Sequence, residues 1–307
     1  MVSLHKDLKD KREISDSSAS QYIRTLFSLN SELPFKNLAW LKNTQSVELR
    51  LENYAESTKK AMISTIVSTL SLIKDKSSYK KVYTYWFNRM MEKVHESKGI
   101  DTTRMTPKQE QNWLSWDVVL AHEKRLHDEV LEIDKKKVLN PIDWNTVLAY
   151  MVLSLYTKFS PRRNLDYQVM KIAKNITQTN NKNFNYFVVD TSEFIFNKYK
   201  TANSHGEQKF EVPAELVNAI HLYLKVHPAK TKIPFHFLVQ FDGSPLPSVN
   251  SITRILNKIF GKNVGTTMLR HIYLSNKYDV SEMNQDANQM GHTAGMQREY
   301  MKVESTS

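Results

Sequence analysis

Apolar positions recur at helical spacing along most of the chain. Small polar residues at 15–20 precede Tyr22, Leu26 and Phe27, a capping cluster followed by a helix. A short apolar segment, 35–41, follows Pro34. From Ser46 a long helical pattern runs through Val47, Leu51, Tyr54, Met62, Ile63, Ile66, Leu70 and Ile73. Residues 74–78 interrupt it, and 79–96 resume it with Val82, Tyr85, Trp86, Met90 and Val94. Residues 1–13 are charged and read as a frayed arm. This first third predicts a bundle of four or five helices.

Residues 97–107 contain Gly99, Pro107 and small polar side chains, as a linker would. The expected division is a helical domain over 1–105 and a second domain over 106–307. Thr106-Pro107 is a good helix start, and the helix behind it carries Trp113, Trp116, Val118 and Leu120, with both tryptophans expected in the core. Residues 123–137 read as a solvated helix. Residues 143–158 are apolar on nearly every face, which marks a central helix. The period then changes: 185–190, 193–200 and 207–213 read as three short antiparallel strands. Helical patterns return at 213–226, at 249–260 and around Arg270. The fold class expected is mainly α with a small antiparallel β-sheet.

Composition narrows the possibilities. At 307 residues two domains are the natural expectation, and 40% hydrophobic residues suffice to fill their cores. The absence of cysteine excludes disulfides, thiolate metal sites and cysteine catalysis. No apolar run approaches the roughly 20 residues that span a bilayer, and the N-terminus lacks the apolar core of a signal peptide. No membrane partner and an intracellular location are therefore expected.

The net charge of +11 favours a polyanionic partner. Residues 1–105 hold 18 lysines and arginines against 12 acids, and the remainder holds 25 against 20. Both parts are basic, as expected if both touch one nucleic acid. Lys59, Lys60, Lys80, Lys81 and Arg89 are candidate phosphate contacts. Singly each reads as part of a solvated face, and only the group carries weight.

The candidate chemistry lies near the C-terminus. Thr267-Met268-Leu269-Arg270-His271 is followed by Met290-Gly291-His292 and, eight residues beyond His292, by Tyr300. An arginine holds two phosphate oxygens with one planar fork, a histidine donates to a phosphate or moves its proton, and a tyrosine can be a covalent nucleophile. Upstream, the central helix ends at Ser160-Pro161-Arg162-Arg163-Asn164-Leu165-Asp166. His271 and His292 lack i, i+4 spacing and no His-Glu-x-x-His occurs, so no metal site is expected.

This ordered set resembles the tyrosine recombinase (phage-type integrase) family, strongly from about Val147 to Tyr300 and loosely before. The resemblance implies a helical core-binding domain followed by a catalytic domain. It implies cleavage of one DNA strand through a 3′-phosphotyrosine and rejoining to another, with double-stranded DNA as partner and a dimer to tetramer assembled on it. Neither ATP nor metal is needed, so no cofactor is implied.

In the family the first arginine usually precedes an acid by three residues, which selects Arg163 with Asp166 over its neighbour Arg162. A lysine in the turn between the second and third strands protonates the leaving 5′-oxygen. Lys200 fits, with Lys198 and Lys209 as rivals. Arg270 is the second arginine, His292 the phosphate-binding histidine and Tyr300 the nucleophile. Asp166 braces the cleft, and His271 packs and hydrogen-bonds.

Two departures stand out. Thr267 occupies the place of the usual histidine and can donate a hydrogen bond without acting as a base near neutral pH. The spacing from His292 to Tyr300 is eight where nine is commoner among the bacterial members. Together with the long charged helices, this spacing points towards a virus or mobile element. A type IB topoisomerase and a DNA-binding relative without chemistry remain as alternatives.

Overall fold

The computed structural model describes residues 2–98, 105–229 and 233–278, and the chain divides into two compact units, Met1–Thr102 and Thr103–Ser307.

The first unit is helical: α1 (Val2–Arg12), α2 (Asp16–Leu29), a 3-10 turn (Ala39–Lys42), α3 (Thr44–Leu51), α4 (Glu56–Leu70) and α5 (Ser77–Lys98). Ser15 caps α2, its hydroxyl accepting from the Ser18 N–H, as the polar cluster predicted. The expected frayed arm is instead α1. Leu8 is fully buried, His5 bonds Ser20 at 3.1 Å, and Lys9 pairs with Asp16 at 2.9 Å. One buried leucine and two polar ties to α2 supply tertiary support that the arm's own sequence does not advertise. The long run from Ser46 is broken at 52–55 into α3 and α4, and the hydroxyl of Tyr54 in that break meets Ser28 at 3.1 Å. Leu26, Leu41, Ile66, Leu70 and Trp86 are fully buried at the centre of this unit.

The second unit begins with α6 (Pro107–Asn112), which starts where Thr106-Pro107 predicted and carries a capping box between Thr106 and Gln109. The helix expected to continue through Trp116 ends at Asn112. A new one, α7 (Trp116–Asp134), starts behind Ser115, whose hydroxyl takes the Val118 N–H. Trp113 and Trp116 are half-buried against the core, whereas Val118 and Leu120 are exposed and Val119 fills the buried position between them. α8 (Pro141–Thr157) is the central helix, buried along most of its length from Trp144 to Tyr156.

After α9 (Asn164–Gln168) come β1 (Met170–Ala173), β2 (Asn185–Val188), β3 (Glu193–Phe196), the single turn α10 (Ala202–His205) and β4 (Gln208–Glu211). The rest is α11 (Ala214–Lys225), β5 (Phe235–His236), α12 (Asn250–Phe260) and α13 (Thr266–Lys277). The sheet order is β4-β3-β2-β1-β5. The three expected strands pair antiparallel. Two more join them: β1 runs parallel to β2, with Met170 opposite Asn185, and β5 runs antiparallel to β1. The sheet is therefore mixed. β5 has two residues, too few to display an alternating pattern, and β1 contains one β-branched residue and no aromatic. β3 stops at Phe196 because the next two backbone N–H groups, of Asn197 and Lys198, donate to the Asn185 side chain at 2.8 and 2.7 Å. Among the described residues no helix is long and apolar enough to cross a membrane.

Candidate functional site

The buried helix α8 delivers its C-terminal end to the surface at residues 158–163, and α9 turns the chain back into the core. Asn164 secures this corner. Its side-chain amide donates to the Val249 carbonyl at 3.1 Å and to the Thr253 hydroxyl at 2.8 Å, both at the start of α12. Asn185 secures the other side. It is fully buried, donates to the carbonyls of Asp166 (2.7 Å) and Lys198 (3.0 Å), and accepts the two N–H groups named above. One asparagine thus ties the arginine-bearing corner to the segment that follows β3, and a buried amide with all these partners made is a rigid link.

Between those ties lies a cleft of about 430 Å3 whose lining includes Arg162, Arg163, Asp166, Thr201, His205 and Arg270. Asp166 is 3% exposed. Its Oδ2 accepts from Arg162 Nε at 2.8 Å, and its buried Oδ1 has no hydrogen-bond partner among the described residues. Burial pushes this carboxyl above its ordinary pKa, against the pull of Arg162 and, more weakly, Arg163.

Asp166 is therefore bound by Arg162 rather than by Arg163, the neighbour chosen from the spacing. Arg162 also donates to Gln208 Oε1 at 3.1 Å, and its guanidinium lies over the Phe196 ring at 3.8 Å. Its Nε, its Nη2 and one face of the guanidinium are thus engaged. Arg163 is exposed and Arg270, from α13, is half-buried; neither guanidinium makes a hydrogen bond or ion pair with a described side chain. Among the described residues, the cleft thus presents two uncommitted arginines and one that is locked in place.

The turn after β3 forms another wall. The Tyr199 hydroxyl donates to the Gly206 carbonyl at 2.7 Å, closing the loop, and Gly206 has φ +67°, a left-handed conformation that suits glycine. Lys200 stands between Tyr199 and Thr201, both of which line the cleft. It is itself exposed and outside the lining. Of its rivals, Lys198 is exposed and Lys209 sits 3.5 Å from Glu207.

Thr267 and His271 do not share the cleft with Arg270. They border a separate hollow, with Thr266 and Asn164, and both are exposed. His292 and Tyr300 lie outside the described residues. Sequence reasoning passed over Arg162, Thr201, His205 and Gln208 as parts of the cleft. For Arg162 the signal was present, since it precedes Asp166 by four residues; for the others only the fold of the hairpin reveals it.

In the first unit the five candidate phosphate contacts divide. Arg89 is held by Glu48 at 2.8 Å and Glu92 at 2.5 Å, which raise its pKa. Lys59 pairs with Glu56 at 2.8 Å, and with Lys93 it draws that carboxyl down to about 2. Lys60 has a partner of its own. Lys80 and Lys81 are exposed with no ion pair to a described residue. Lys59 and Lys80 also sit towards opposite ends of the α4–α5 hairpin, roughly 15 Å apart at 1.5 Å per helical residue, so the five do not form one patch.

No protein-family model matches the chain, and no curated protein matches it. Among solved structures, the crystal structure of XerA recombinase is similar at 13% sequence identity and a TM-score of 0.36, over 99% of this chain and 93% of that one. A likeness at that score carries no argument, and the functional reading rests on the residues of the cleft.

Proposed function

We propose that the protein is a DNA strand-cleaving and rejoining enzyme of the tyrosine recombinase type, acting through a 3′-phosphotyrosine. The observation that carries this reading is the convergence of Arg163 and Arg270 on one cleft, with neither guanidinium committed to a described side chain. The two arginines, 107 positions apart in sequence, share a cleft whose one lining carboxylate, Asp166, is already paired with Arg162, so positive charge is in excess there and like charges repel. A phosphodiester supplies the missing negative charge.

In this reading Arg163 and Arg270 hold the non-bridging oxygens, whose charge grows in the pentacoordinate transition state. Arg162 takes no phosphate oxygen; it fixes the corner that carries Arg163. Tyr300 attacks phosphorus, expelling the 5′-oxygen, which Lys200 protonates. General acid assistance of that kind contributes typically 10²–10⁴-fold. His292 hydrogen-bonds a phosphate oxygen, and ligation reverses the steps. The basic charge of both units supports a duplex partner, and exchange between two sites implies more than one copy on DNA.

A second reading, a DNA-binding relative without chemistry, is favoured by one observation: Thr267 is no base and borders the hollow rather than the cleft. Incubation with a nicked suicide duplex separates the two. A covalent protein–DNA adduct, absent from Tyr300→Phe, is expected of the enzyme; duplex binding with no adduct under any condition leaves only the binder. Relaxation of supercoils by a monomer, without exchange between sites, marks a topoisomerase.

A further inference from the structure

We infer that Arg162 and Gln208 are positioning residues for the leaving-group acid: together they clamp the turn that carries Lys200 to the corner that carries Arg163. This rests on the proposed function for the role of Lys200, whereas the clamp stands on contacts of its own.

Lys200 lies in the connection from β3 to β4, residues 197–207. A lysine is a single ammonium on a flexible four-carbon stem, so the place of its backbone decides what it can reach. The turn is closed on itself. The N–H groups of Ala202, Ser204, His205 and Gly206 donate to carbonyls of Tyr199, Thr201 and Ala202 at 2.8–3.1 Å, and the Tyr199 hydroxyl donates to the Gly206 carbonyl. These bonds make the turn a unit without attaching it to the cleft. Its position therefore depends on how its two ends are held.

Asn185 holds the near end, through the backbone of Asn197 and Lys198. Arg162 holds the far end. Its Nη2 donates to Gln208 Oε1 at 3.1 Å, at the first residue of β4. Its guanidinium is 3.8 Å from the centre of the Phe196 ring, 5.2 Å from Tyr199 and 5.7 Å from Phe210. Phe196 ends β3, Tyr199 directly precedes Lys200, and Phe210 lies in β4. One guanidinium thus touches the hairpin before, within and after the turn. Such contacts strengthen when the cation is desolvated, and the Arg162 side chain is only 15% exposed beside Asp166.

Arg162 is joined through the main chain to Arg163, and Tyr199 to Lys200. A path from the phosphate-holding arginine to the acid therefore crosses one non-covalent contact, that of Arg162 with Tyr199. Only a planar fork can meet Asp166 and Gln208 at once while lying over Phe196; an ammonium cannot. A misplacement of about 1 Å at a reacting group can cost on the order of 10²-fold in rate. The clamp acts on the reaction through Lys200, without holding a phosphate oxygen itself.

The test uses the full chain and two nicked suicide duplexes, alike except that one carries sulfur in place of the 5′-bridging oxygen at the cleavage point. A thiolate leaves without needing a proton, since a thiol ionises near pH 8.5, so only the oxygen-linked duplex calls for the acid. On that duplex Gln208→Leu and Arg162→Lys should each slow adduct formation by about 10²-fold, and Lys200→Ala by about 10²–10⁴-fold. On the sulfur-linked duplex all three should recover most of the wild-type rate, whereas Arg163→Gln should be slow on both, because the phosphate needs that arginine with either leaving group. In the free protein, amide exchange over residues 199–206, followed by mass spectrometry, should quicken roughly tenfold in Gln208→Leu, the loss of one hydrogen bond to a charged group. Equal slowing on both duplexes, or unchanged exchange in both folded clamp variants, overturns the inference. So does an oxygen-linked rate indifferent to Lys200→Ala. If the wild-type protein forms no adduct on either duplex, the proposed function falls, and exchange alone then decides whether the clamp holds.

Discussion

Removing Asp166 while leaving Arg162 in place is the sharpest perturbation of the cleft. The pair is joined at 2.8 Å, with side chains only 15% and 4% exposed for Arg162 and Asp166, so solvent screens it little. In Asp166→Leu the guanidinium keeps Gln208 and the face of Phe196 but loses its counter-charge inside a desolvated corner. Breaking a buried pair from one side costs about 3–5 kcal/mol, whereas replacing both members with apolar residues of similar volume is often neutral. For a unit of this size each kcal/mol shifts the melting temperature by about 2–4 °C. Asp166→Leu should therefore lower the transition of the second unit by roughly 6–20 °C in scanning calorimetry, and Arg162→Met with Asp166→Leu should restore most of it. A double variant as unstable as the single one would refute the argument that an unpaired buried charge, rather than poorer packing, is what matters. A single variant that melts within a degree of wild type would refute the claim that the pair is structural at all.

Three further expectations come from the same structure. Asn185→Leu strands several buried backbone groups at about 1–3 kcal/mol each, so a loss of at least about 3 kcal/mol is expected from urea midpoints; under 1 kcal/mol would contradict its role as the tie between corner and hairpin. In salt titrations of duplex binding, Lys80→Gln and Lys81→Gln should each lower the slope by about 0.9, the value of one phosphate neutralised. Arg89→Gln, whose guanidinium is already neutralised by Glu48 and Glu92, should leave the slope unchanged, and equal effects from all three would count against that distinction. Burial lowers the pKa of His122, aided by Arg125, and of His236, aided by Lys171. A histidine held neutral by the fold contributes stability in full above the unfolded value near 6.5, and that contribution is lost as pH falls below it. The second unit should weaken as pH falls below about 6.5, and His122→Phe, which keeps a ring against Phe260, should flatten part of that slope. An identical slope in the variant would assign the effect elsewhere.

Some features were legible because a few adjacent residues specify them. The capping pairs at Ser15 and Thr106 began helices where expected, and the uniformly apolar stretch became the buried α8. The strands at 185–188, 193–196 and 208–211 could be read from their own residues because a run of aromatic and β-branched side chains suits a strand wherever it pairs. In the candidate site, Arg163, Asp166 and Arg270 were picked out by motif, and all three line one cleft.

What the linear chain could not decide was partnership. Spacing matched Asp166 to Arg163, but Asp166 binds Arg162 because Phe196 and Gln208, from a hairpin some 40 residues on, provide a seat for that guanidinium alone. Likewise α1 reads as a charged arm until α2 covers Leu8, and β1, with one β-branched residue and no aromatic, is a strand only because β2 lies beside it. Thr267, three residues from Arg270, faces a different recess from it. Local pattern sets which residues are helical, extended or apolar, since those preferences act over a few neighbours. Which charge meets which, and on which side of a wall a side chain emerges, depends on contacts between segments far apart in sequence, and those exist only once the cores have closed.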